Sequence, residues 1–231
     1  MSMPAQLYQA NRLDLLSRMA GDISHEIKNP LHAMVINLEL VRRKVEKGDG
    51  TQAIERVAII EEEVRKVHAL ANALLEALRP PRDASDTCGF STVLQELAPL
   101  VTARARLARV ELVLENDPAS AIVPLPAHEL RLLLLNLADR AVRVAGPNGA
   151  VAFGARTSGD TLTVDVVAAT PTLDETELSW LSDAPVDAEH IDLGLRVTRD
   201  LVERAGGRIA SGPAGDGRHR LSVSLPTTAS A

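Results

Sequence analysis

His25 sits among residues able to do chemistry: Ser24-His25-Glu26-Ile27-Lys28-Asn29-Pro30-Leu31. A neutral imidazole is a good nucleophile near neutral pH. A carboxylate fixing one ring nitrogen leaves the other free to attack an electrophile such as phosphorus. The apolar residues around it, Leu13, Leu16, Ala20, Ile23, Ile27, Leu31, Met34, Leu38, Val41 and Val45, recur at steps of three and four. That period predicts one face of a long amphipathic helix. His25 falls between Ile23 and Ile27 and projects away from that face. Arg18, Asp22, His25, Asn29 and His32 form a polar stripe at helical spacing. Pro30 removes a backbone donor just past the stripe's centre and predicts a kink.

Two elements must carry this stripe. Residues 6–47 read as the first helix, ending in the polar turn Glu46-Lys47-Gly48-Asp49-Gly50-Thr51. Residues 52–79 read as the second, with Val57, Ile60, Val64, Val67, Ala71, Leu74 and Leu78 in an unbroken heptad seam. Pro80-Pro81 stops it. A hairpin with two long apolar seams cannot bury both alone, so a second copy and a dimeric four-helix bundle are expected.

His-Glu-Ile-Lys-Asn-Pro-Leu resembles the H-box of two-component sensor histidine kinases, in their dimerisation and phosphotransfer domain. The resemblance implies that His25 is the phosphoacceptor and that Glu26 assists proton transfer from the ring. It also implies that Asn29 holds the position that orients water when such a domain dephosphorylates a response regulator. Arg18, Asp22, Lys28 and His32 are the expected contacts to a partner. Arg18 and Lys28 read equally as docking charges or as ordinary helix-surface charges, and His32 has no motif role of its own.

Composition narrows the classes. Apolar residues are 45% of 231 and aromatic residues 2%, so aliphatic side chains must fill the cores. A net charge of -6 argues against non-specific nucleic-acid binding. Cys88 is the one cysteine, which excludes an internal disulfide, and the six histidines show no metal-ligand spacing. No apolar run approaches membrane-spanning length and residues 1–12 lack a signal pattern, so no membrane partner and a cytoplasmic location are expected. The acceptor helix begins almost at Met1, which predicts a chain without its own sensor domain.

The organisation expected is residues 1–80 as the phosphotransfer hairpin, 81–87 as a linker and 88–231 as an α/β unit. In the last, 90–108, 127–145 and 193–205 read as helices. Residues 110–115, 151–157, 161–167, 208–210 and 220–225 read as strands. That order resembles the ATP-binding α/β sandwich following the phosphotransfer domain in the same kinases, in a degenerate form.

The departures lie at the nucleotide motifs. The family's Asn-Leu-x-x-Asn-Ala is Asn136-Leu137-Ala138-Asp139-Arg140-Ala141 here, with Arg140 at the metal-binding position. An Arg offers only donors and cannot coordinate a cation. The family's Asp-x-Gly-x-Gly is replaced by Ala168-Ala169-Thr170-Pro171-Thr172. In Ile191-Asp192-Leu193-Gly194-Leu195 one phosphate-loop glycine remains, beside a carboxylate, and residues 173–190 are acidic and glycine-poor. Each lost contact is ordinarily worth roughly 1–3 kcal/mol. Arg140 and Arg143 remain able to hold phosphate without a metal. ATP binding and a tightly held cofactor are nevertheless not expected, and magnesium is expected only from a receiver partner.

An intact acceptor beside an eroded donor site predicts a dimeric histidine phosphotransferase. It would relay phosphate through His25 to or from response-regulator receiver domains, or from an upstream histidine kinase. Three alternatives stay open: a response-regulator phosphatase using Asn29, an ATP-dependent kinase with a diverged pocket, and a non-catalytic dimeric scaffold.

Overall fold

A computed structural model describes residues 5–79, 85–116, 121–182 and 187–228. The expected hairpin is present as α1 (Ala5–Glu46) and α2 (Gly50–Leu78). The turn between them needs a left-handed residue, supplied by Gly48 at φ 74°. Asp49 then caps α2 by accepting from the Gln52 amide at 3.2 Å. The helix ends at Arg79, whose extended backbone is what a following proline demands. α1 stays helical on both sides of Pro30, so the missing donor does not end it. Of the expected linker, residues 81–84 lie outside the described residues.

The α/β unit opens with β1 (Cys88–Gly89), α3 (Phe90–Leu107), β2 (Glu111–Asn116), β3 (Ile122–Val123) and α4 (Ala127–Ala145). It continues with β4 (Ala150–Ser158), β5 (Thr161–Ala168), α5 (Glu175–Leu181), α6 (Leu193–Arg204), β6 (Arg208–Gly215) and β7 (Arg218–Pro226). Five strands form one sheet in the order β2-β4-β5-β7-β6, parallel between β2 and β4 and antiparallel elsewhere. Period-two alternation turns Val151, Phe153, Leu162, Val164, Val166, Leu221, Val223 and Leu225 inward, all buried. The helices α3, α4 and α6 supply Leu97, Leu130, Leu133, Leu134 and Leu201 to the same core. It is the aliphatic core the composition predicted. β1 and β3, only two residues each, were missed by periodicity, and so was α5.

The hairpin and the α/β unit are packed together. Leu15, Met19 and Ile23 of α1 and Leu70, Ala73 and Ala77 of α2 join the buried cluster of the α/β unit. At its centre Asn11, fully buried, exchanges two side-chain hydrogen bonds with Asn136 of α4, at 3.1 and 2.8 Å. A buried amide pair is stable only while both partners are present. Asn136→Leu should therefore lower stability by about 1–3 kcal/mol, and adding Asn11→Leu should recover most of it. Denaturant midpoints of the two singles and the double decide the point.

Away from this junction the hairpin leaves apolar residues in solvent. Leu31, Leu38 and Val45 on α1 and Val57, Val64 and Leu78 on α2 are exposed, and each belongs to a seam read from the sequence.

Candidate functional site

Asn11, Arg18 and His25 are spaced by seven, two helical turns, and so lie nearly in line along α1. The α/β unit covers the first part of that line and stops at the level of His25. Asn11 is buried on α4. Arg18 reaches the buried carboxylate of Asp139 at 3.4 Å and Asp14 at 2.9 Å. Beyond them His25, Asn29, Lys28 and His32 are exposed. The stripe expected to face solvent throughout is thus divided. Arg18, read equally as a docking charge or an ordinary surface charge, ties α1 to α4 through a carboxylate the fold has buried, while its side chain stays 31% exposed. Asp22 shares the helix, but its side chain lies outside the described residues.

Glu26 lies on the flank nearest the α/β unit. Its carboxylate, 9% exposed, accepts from Arg106 Nη1 at 2.8 Å, at the end of α3. The acidic neighbour of His25 is therefore held by a cation from the other half of the chain. Sequence reading missed Arg106, because nothing local ties residue 106 to residue 26.

The second region is a cleft of about 730 Å³ bordered by α4, the loop after β5, α5, the start of α6 and β6–β7. Arg140 donates from Nε to the Thr172 carbonyl at 2.7 Å and from Nη2 to Glu177, with Asp192 at 3.7 Å. Arg143 pairs with Asp139 at 3.1 Å and Asp192 at 3.5 Å. Both arginines read as able to hold phosphate are thus engaged by carboxylates of this chain. Asp192 also caps α6, accepting from the Leu195 amide at 3.1 Å. The helix N-terminus, suited to an external anion, is met by the chain's own.

Two motif residues that look like survivals have structural work here. Asn136 is bound to Asn11. Gly194 is needed because a Cβ there would lie 2.8 Å from Asn136 Oδ1, so its lack of a side chain lets α6 approach α4. The acidic segment after β5 carries a missed element, α5, closed by a capping box between Asp174 and Glu177. Asp174-x-x-Glu177 is the sequence signature of such a start and could have revealed it. Arg199 of α6 stacks on Trp180 of α5 at 4.5 Å and donates to its carbonyl at 2.7 Å, fixing α5 in place. Among the described residues no cluster of His, Cys, Asp or Glu is placed to hold a metal, and no helix is long and apolar enough to cross a membrane.

Residues 15–80 match the His Kinase A (phospho-acceptor) domain family. The chain is 24% identical over 207 residues to the sensor histidine kinase ZraS of Escherichia coli O157:H7, covering 88% of this chain and 44% of that protein. It is 25% identical over 219 residues to the C4-dicarboxylate transport sensor protein DctB of Rhizobium meliloti (strain 1021), covering 90% of this chain and 35% of that one. The chain spans less than half the length of these relatives. The catalytic domain of the histidine kinase ThkA superposes with a TM-score of 0.52 at 20% identity, over 62% of this chain and 95% of that structure. The chain therefore resembles the core of two-component sensor histidine kinases. It has a phosphoacceptor-type helical hairpin followed by an α/β unit with the fold of their catalytic domains.

Proposed function

We propose that this chain is a dimeric histidine phosphotransferase of a two-component phosphorelay that does not use ATP as its own donor. A receiver domain carrying an aspartyl phosphate docks over the open part of the stripe, near Lys28, Asn29 and His32. The unprotonated ring nitrogen of His25 attacks phosphorus, an N–P bond forms, the acyl phosphate P–O bond breaks and the receiver's carboxylate leaves. Transfer to a second receiver runs the same step backwards. The receiver brings the magnesium and the aspartate; this chain brings the nucleophile and the docking surface. The exposed seams of α1 and α2 support a homodimer, as the resemblance implies, and the relay would act in the cytoplasm.

One observation carries the reading: Arg140 stands at the metal position and is paired with Glu177, Thr172 and Asp192, while His25 remains in solvent. A magnesium nucleotide would have to displace those pairs and then meet two carboxylates. The fit is poor on charge alone.

The test is a pair of labelling assays on the full chain. Label from a pre-phosphorylated receiver, but none from ATP with magnesium, supports the relay. Label from ATP makes the chain a kinase with a diverged cleft. Loss of receiver phosphate without label on His25, abolished by Asn29→Ala and not by His25→Ala, makes it a phosphatase. No transfer or loss in either assay leaves a scaffold.

Arg106 has a place in this scheme. By pairing with Glu26 it would compete with the ring for that carboxylate. Arg106→Ala should raise the rate of phosphate acceptance roughly threefold to tenfold, well inside what a positioned acid–base group contributes. Glu26→Gln should cancel that gain in rapid-quench measurements; a gain that survives it would assign Arg106 another role.

A further inference from the structure

A second cavity, of about 400 Å³, lies between the base of the hairpin and α4, apart from both regions above. Its size is within the range of small-molecule sites. Leu16, Leu132 and Leu135 give it an apolar lining. Four guanidiniums line it, those of Arg12, Arg79, Arg131 and Arg204, with the carboxylates of Glu76 and Glu129; Glu96 and Asp200 pair with Arg131 and Arg204 from outside the lining.

Two of the four are incompletely matched. Arg131 has a side chain 7% exposed; its Nε and Nη2 donate to Glu96 at 3.1 and 2.7 Å, and Nη2 lies 3.1 Å from Glu76. Its Nη1 is buried and makes no hydrogen bond among the described residues. Arg12 donates to the carbonyls of Ala77 at 3.0 Å and Arg79 at 2.8 Å, and no described carboxylate pairs with it. Burial, with the nearby charge of Arg131, holds the Arg12 guanidinium below its usual range. By contrast Arg204 is matched, bidentate on Glu129 at 2.9 and 3.0 Å. A buried donor without an acceptor and a desolvated cation without a counter-charge are both costly, and a single anion relieves both.

We infer that this cavity is a binding site for an amphipathic anion, a carboxylate or phosphate headgroup on a short apolar body. The headgroup sits between Arg12 and Arg131, where planar guanidinium forks suit either oxyanion. The apolar body lies against Leu16, Leu132 and Leu135. Because the walls come from α1, α2 and α4, the ligand joins the hairpin to the α/β unit and stabilises their docked arrangement. Nothing in this inference depends on the relay.

Octanoate, octyl phosphate and the neutral 1-octanol are the probes, titrated into the full chain by calorimetry and by methyl NMR. Either anion, or both, should bind at least about tenfold tighter than octanol, a difference of about 1.4 kcal/mol. The ratio of the two anions identifies the headgroup. Shifts should fall on the methyls of Leu16, Leu132 and Leu135, and Arg12→Gln should remove the advantage of the anions. Since Arg12 also ties down the end of α2, Ala5→Trp is the second variant: Ala5 lines the cavity yet is exposed, so bulk there should weaken binding without touching the core. Octanol binding as tightly as both anions, unchanged affinity in both variants, or shifts confined to Leu13, Leu74 and Leu78 in the hairpin groove would overturn the assignment.

Discussion

His25→Ala should reduce acceptance of phosphate from a phosphorylated receiver by more than about a thousandfold, with no loss of folding or dimerisation. The size follows from the proposed chemistry: the substitution removes the atom that would form the bond to phosphorus, and His32, the other imidazole of the stripe, lies seven residues or about 10 Å farther along α1. The absence of a structural effect follows from position. The imidazole is exposed, and surface changes of this kind usually fall within about 0.5 kcal/mol. Phosphate transfer on rapid quench, beside thermal melting and sedimentation of the same preparation, separates the two effects. A variant that melts early would place the ring in a structural role, and one that still carries acid-labile phosphate would move the acceptor elsewhere. Asn29→Ala gives the contrast, since it should leave transfer to His25 largely intact.

Arg140→Asn should destabilise the chain by about 3–5 kcal/mol and gain no binding of magnesium ATP. The substitution restores the residue type that the resembled family carries at its metal position. Here, however, the guanidinium closes a buried network. Its removal strands Glu177, whose side chain is 9% exposed, and unpairs the Thr172 carbonyl. Asn is too short to reach both. Glu177 also receives the Asp174 amide in the capping box, so α5 should loosen with it. Chemical denaturation measures the cost, and calorimetry with magnesium ATP measures the gain. Stable protein that binds nucleotide would mean the cleft needs only its metal ligand back, and the ATP-dependent alternative would then stand.

Much of the fold was legible in the chain. The helices at 90–108, 127–145 and 193–205 appear at Phe90–Leu107, Ala127–Ala145 and Leu193–Arg204. The strands read at 151–157 and 161–167 appear as β4 and β5, antiparallel about a turn at Gly159-Asp160. These elements announce themselves through repeats of two or three to four residues, which burial of one face imposes locally. β1 and β3 are too short for any period, and α5 was lost within a segment read only for its charge.

The site was legible in part. The length and phase of α1, the turn that follows it and the projection of His25 away from the seam are matters of local period and turn chemistry. The chain alone determined them. Which face of α1 receives the α/β unit was decided only by tertiary packing. That face is a mixture of Tyr8, Asn11, Leu15, Arg18 and Glu26 that no hydrophobic pattern reveals. Its partners, Asp200, Asn136, Asp139 and Arg106, lie far along the chain. Arg140 could be read as a lost metal ligand, but not as the centre of a network with Glu177 and Asp192. A guanidinium's role depends on which carboxylates the fold brings within reach, and sequence spacing carries no record of that distance.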